Sequence, residues 1–123
     1  MSDVFVFGSN LEGRHGAGAA LHAKKYFGAV YGQGEGRQGN SYAIPTKSDP
    51  YHSLQLNAIF LYVKRFLEYA EEHFEESFNV TAIGCGLAGY TPRQITPLFE
   101  NSPENVNLPE EFKKVLDETK KPQ

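Results

Sequence analysis

Lys47, Cys85 and two groups of glycines are the residues whose types and spacing best suit chemistry in this chain. Lys47 closes the run Tyr42-Ala43-Ile44-Pro45-Thr46-Lys47, which places it at the carboxyl end of an expected strand. A neutral lysine amine there is a candidate nucleophile toward a sugar carbonyl or acetal carbon. The plainer alternative is a surface lysine. Cys85 lies between Gly84 and Gly86, and a thiolate could act as nucleophile with His15 or His52 as its base. The competing reading is a small buried residue. Asn10, Glu12 and His15 are further polar candidates in the first loop, whereas His22, His52 and His73 fit solvated faces or a loop. No histidines or cysteines stand at metal-ligand spacing, so no metal and no cofactor are expected.

Nine of the 12 glycines fall within the first 39 residues, and the other three are Gly84, Gly86 and Gly89. A disordered glycine-rich chain would spread them evenly. Confinement to two places points to two sites built from backbone. The first, Gly8-Ser9-Asn10-Leu11-Glu12-Gly13-Arg14-His15-Gly16-Ala17-Gly18, joins a strand to a helix start. Free N–H groups and the helix dipole can hold a phosphate at such a place. The second, Gly84-Cys85-Gly86-Leu87-Ala88-Gly89-Tyr90, again follows a strand; its amides can form an anion nest, and Tyr90 could stack on a base or ribose. Gly34-Glu35-Gly36-Arg37-Gln38-Gly39 matches GxGxxG literally but precedes a strand, which is the wrong context for a dinucleotide fingerprint. There is no GxxxxGK[ST] either. Residues 32–39 are expected to form a mobile flap, a hairpin or a plain surface loop.

Composition narrows the class. With 123 residues, 40% apolar and 22% charged, the chain suits one ordinary globular domain, 1–118, with a frayed tail at 119–123. The net charge is −3, yet residues 1–47 hold five basic and three acidic side chains. The glycine-rich part is therefore the positive part. It suits a small anion better than an extended nucleic-acid track. No apolar run approaches a membrane span, the first residues lack a basic signal-peptide region, and the single cysteine fits a reducing compartment. A cytoplasmic protein is the expectation.

The elements that must position these residues alternate. Residues 4–7 predict a buried strand, a helix runs from about 16 or 17 to 27 with Gly28 as its left-handed terminator, and 29–31 suit a short strand. A strand at 41–44 ends at Pro45. An amphipathic helix spans about 54–73 with Ser53 as N-cap. A strand covers 78–83, Thr91-Pro92 opens a short helix interrupted by Pro97, a last strand covers 106–108, and a helix starts at Pro109. The order predicts a three-layer α/β/α domain with a mixed, largely parallel central sheet, which binds ligands at the carboxyl ends of its strands.

Asn10-Leu11-Glu12-Gly13-Arg14-His15-Gly16-Ala17-Gly18-Ala19-Ala20 resembles the N-x-x-G-x-x-G-x-G-x-A loop of macro domains. Ile44-Pro45-Thr46-Lys47 and Ile83-Gly84-Cys85-Gly86-Leu87-Ala88-Gly89 resemble the P-T-K and I-G-C-G-L-x-G motifs of the branch that reverses ADP-ribosylation through a lysine. That branch includes the terminal ADP-ribose glycohydrolase and the DarG antitoxins, which clear ADP-ribose from thymidine in DNA. The resemblance implies a macro-like fold and binding of ADP-ribose, or of ADP-ribosylated DNA or protein. It implies Asn10 near the distal ribose, and Gly13 and Gly16 to Gly18 facing Gly84 to Gly89 across the diphosphate. His15, Ala17, Cys85, Leu87, Ala88 and Tyr90 would complete the ligand site, and Lys47 would be catalytic. The glycohydrolase branch carries an acid where this chain has Ala88, which leaves a non-catalytic reader or sponge as the alternative.

Overall fold

The protein is described as a computed structural model covering residues 3–120. Strand β1 is Asp3–Asn10, β2 Gly36–Gln38, β3 Ser41–Asp49, β4 His52–Ser53, β5 Ser77–Val80 and β6 Val106–Asn107. Helices are α1 Gly18–Tyr26, α2 Leu56–Glu72, α3 Pro92–Ile95 and α4 Glu110–Lys120, with a 3-10 turn at Thr96–Phe99. The sheet order is β2-β3-β1-β5-β6. The β3, β1, β5 and β6 neighbours run parallel, while β2 and β4 pair antiparallel with β3.

Alternation along β1 divides the layers. Val4 and Val6 point into the larger core, and Phe5 and Phe7 into the smaller one. The smaller core holds Phe7, Ala23, Ala29 and Ala43 beneath α1. The larger lies beneath α2, α3 and α4 and buries Ile59, Val63, Phe66 and Ala70 of α2. Their i, i+4, i+7, i+11 spacing is the stripe expected from the sequence. Each large side chain buried there contributes about 1.5–3 kcal/mol. Thr91 caps α3 through a capping box with Gln94, and Pro97 converts the helix into the 3-10 turn. Gly28, with φ +77°, ends α1 as anticipated.

Three expectations are corrected. β3 passes through Pro45, because the β2 pairing stops at Ala43 and the β4 pairing begins at Lys47, leaving that side of the strand unpaired at residue 45. Residues 29–31 form no strand, since the Val30 N–H is taken by the Gln38 side chain at 2.8 Å; β2 lies instead within the expected loop. Ser53 belongs to β4, and Gln55 is the N-cap of α2. Helix α4 continues through Thr119 to Lys120. Residues 121–123 of the expected tail lie outside the described residues. No helix among the described residues is long and apolar enough to cross a membrane.

Candidate functional site

The first glycine loop is fixed by its own asparagine. Asn10 Oδ1 accepts the Arg14 backbone N–H at 3.0 Å, and Nδ2 donates to the Arg14 carbonyl at 3.1 Å. Behind this loop lies the segment around residues 32–38. The Gly32 N–H donates to the Gly13 carbonyl at 2.8 Å, and Ser9 Oγ donates to the Gly34 carbonyl. A Cβ on Gly13, whose φ is +71°, would meet Gln33 N at 2.4 Å, and one on Gly34 would meet the Asn10 carbonyl oxygen at 2.4 Å. The two loops are interlocked at backbone distance. Residues 32–34 thus buttress the first loop, and Gly36–Gln38 pairs antiparallel with residues 41–43 across Gly39-Asn40, so the hairpin is the form the segment takes among those expected.

His15 is part of that interlock. It is 1% exposed and packs edge-on against Phe7. Its Nε2 donates toward the Gln33 carbonyl at 3.0 Å and lies 3.1 Å from Gln38 Oε1. The ring therefore braces the loop from below and does not line the cleft above it.

Above this brace a cleft of about 630 Å³ opens at the carboxyl ends of β1 and β3. Residues 16–20 form one wall, residues 84 and 86–88 another, and Asn10, Thr46, Lys47 and residues 81–83 form the base. Ala17, in extended conformation, precedes α1 without any side-chain cap, and the first turn carries no acid. The first N–H groups of α1 are thus left for a ligand. Gly16 and Gly86 have nothing within 4 Å of an added Cβ, and neither has a positive φ. Neither packing nor conformation demands glycine at those two positions.

Arg14 and Lys47 bring positive charge, and no Asp or Glu among the described residues lines the cleft. The half-buried Lys47 Nζ donates to the Pro50 carbonyl at 2.6 Å, inside the β3–β4 hairpin. That hairpin is folded by Asp49, whose Oδ1 accepts the Tyr51 N–H at 2.8 Å and which pairs with His52 Nδ1 at 2.9 Å. These contacts, the Tyr51 N–H first, hold the Asp49 carboxyl below its ordinary pKa. Ser53 Oγ donates to the Ala88 carbonyl at 2.7 Å and joins the hairpin to the second glycine loop.

Of the residues anticipated for the site, Asn10, Gly16, Ala17, Gly18, Lys47, Gly84, Gly86, Leu87 and Ala88 meet in this one cleft. Gly13, His15, Cys85, Gly89 and Tyr90 do not line it. Cys85 turns toward the larger core; burial, then the charge of Glu111, push its thiol pKa up, which keeps it protonated and unsuited to be a nucleophile. Tyr90 donates its hydroxyl to the Leu54 carbonyl and packs on the same core, outside the cleft lining. Gly89 closes a turn by donating its N–H to the Gly86 carbonyl at 3.0 Å. Glu12 pairs with Arg14 at 3.2 Å outside the cleft. Sequence reasoning missed Arg14, Pro50 and Tyr31, which all line the cleft. Tyr31 escaped because residues 29–31 read as a strand. No group of three His, Cys, Asp or Glu among the described residues is placed to hold a metal ion.

No protein-family model matches the chain, and no curated protein matches it.

Proposed function

We propose that this protein binds ADP-ribose in the cleft and removes it from a modified macromolecule, DNA or protein, with Lys47 as nucleophile, in the manner of the lysine-dependent macro domains its motifs resemble. One observation carries the reading: the two glycine walls and Lys47, far apart in sequence, line a single carboxylate-free cleft at the sheet's carboxyl edge. Backbone amides of residues 16–18, 84 and 86–88 would hold the diphosphate, with Arg14 adding charge. Neutral Lys47 Nζ would attack the anomeric carbon of the distal ribose. The C–N bond forms as the glycosidic bond breaks, and the leaving group departs with that electron pair. Water then attacks the same carbon, the C–N pair returns to Nζ, and ADP-ribose is released. The glycosylamine formed in the first step can also open its ring, the ring oxygen taking the amine proton as an imine forms at the same carbon, and water adding to that imine releases ADP-ribose and the free amine. Either route requires Lys47 to lose a proton and leave Pro50.

The test is release of ADP-ribose from a modified thymidine oligonucleotide and from a modified protein. Wild type should release it, Lys47→Ala should not, and borohydride should trap a Lys47 adduct. Activity surviving in Lys47→Ala removes the proposed role.

The second reading, a non-catalytic reader or sponge, is favoured by the cleft's lack of a carboxylate to serve as general acid. It expects tight ADP-ribose binding with no turnover on either substrate.

A further inference from the structure

Every hydroxyl on the floor of the cleft is already committed. Ser9 donates to the Gly34 carbonyl, Thr46 to the Ser9 carbonyl at 3.4 Å, and Thr81 to the Val6 carbonyl at 2.9 Å. The Asn10 amide is bound to Arg14, and no carboxylate among the described residues lines the space. Apart from the Tyr31 hydroxyl, side-chain readout of a base edge by a carboxylate or an uncommitted hydroxyl donor therefore has no provision among these residues. The lining does contain an aromatic ring, Tyr31, 57% exposed. Lys24 Nζ sits 5.2 Å from the ring centroid, and Lys24 itself is not part of the cleft lining. The cation steadies the ring. The ring lines the cleft with more than half of the residue exposed.

We infer that Tyr31 is the stacking surface for the nucleobase of the ligand, and that the site grips the base by its π-face while discriminating weakly between bases. Every base has such a face, and stacking on an aromatic ring is tolerant of sequence. The ligand class is thus a nucleoside diphosphate with little preference for adenine. The inference rests on the reading of the cleft as a diphosphate site, but not on the glycohydrolase chemistry.

The experiment titrates ADP, GDP, UDP and inorganic pyrophosphate into wild type, Tyr31→Ala and Tyr31→Phe. In wild type the three nucleotides should bind within about tenfold of one another, each roughly five- to a hundredfold tighter than pyrophosphate. Tyr31→Ala should bring all three down to the pyrophosphate level while leaving pyrophosphate binding intact, which also shows that the variant is folded. Tyr31→Phe should keep the advantage. Nucleotides that bind wild type no better than pyrophosphate, or an advantage that survives in Tyr31→Ala, would overturn the inference. A hundredfold preference for ADP over GDP and UDP would overturn the tolerance. ADP binding with no ADP-ribose binding or turnover would instead remove the proposed function and leave the stacking surface standing.

Discussion

Gly16 and Gly86 face open space without a positive φ, whereas Gly13 and Gly34 are locked against a neighbouring backbone. The two pairs should respond to alanine in opposite ways. Gly16→Ala and Gly86→Ala should leave stability unchanged within about 0.5 kcal/mol or raise it slightly, yet weaken ADP-ribose binding in calorimetry. Gly34→Ala drives a Cβ into the Asn10 carbonyl and should destabilise the fold by more than about 2 kcal/mol in urea unfolding. Glycine spacing alone could not separate these roles, because a tight packing contact and a ligand contact call for the same residue. Cys85 presents a similar ambiguity: flanking glycines suggested access, but its neighbours in space are core side chains. Iodoacetamide should label it slowly at neutral pH, more slowly than an ordinary exposed thiol, since its pKa is raised by burial and by Glu111. Rapid labelling would contradict that placement.

The hairpin of β3 and β4 holds the Lys47 amine through Pro50, and Asp49 holds the hairpin. Asp49→Ala should loosen residues 48–52, seen as faster amide exchange at Tyr51, and reduce borohydride trapping at Lys47. The pH dependence follows from the depressed Asp49 pKa. Its stabilising contribution is complete above the ordinary carboxylate value of about 3.9 and is lost as pH falls through its lower folded value. The hairpin should therefore stay ordered through neutral pH and open only below about pH 4; opening well above that range would contradict the role given to Asp49. At the far end of the sheet, Arg37 donates to both Glu76 oxygens at 2.8 and 2.9 Å and to the Tyr69 hydroxyl at 3.1 Å, tying β2 to α2 and to the approach to β5. The Glu76 contact is the main cause that raises its pKa. Arg37→Met should cost about 2 kcal/mol without touching the cleft. Long periodic elements such as α2 were legible from Ile59, Val63 and Phe66. The short strands β2 and β4 were not, because their existence depends on tertiary partners: β2 is an edge strand on β3, beside the Gln38 network, and β4 exists through the turn at Asp49.

The whole molecule divides labour between its two cores. The larger, under α2, α3 and α4, supplies most of the buried apolar surface. The smaller, under α1, is built from Phe7 and three alanines and keeps the start of that helix over the strand ends. Motif order located Lys47 and both glycine walls before any coordinates, because β1, β3 and β5 are parallel neighbours whose carboxyl ends must share an edge. Sequence order did not reveal that the segment 32–38 lies behind that edge, nor that Tyr31 reaches its mouth; both depend on how the chain returns from α1. The account stands on the claim that this edge binds ADP-ribose, and an amide chemical-shift titration tests it most directly. Saturable one-to-one binding is expected, with the largest shifts at Gly16, Ala17, Gly18, Gly84, Gly86, Leu87 and Ala88. No saturation at millimolar ADP-ribose, or shifts confined to other surfaces, would contradict it.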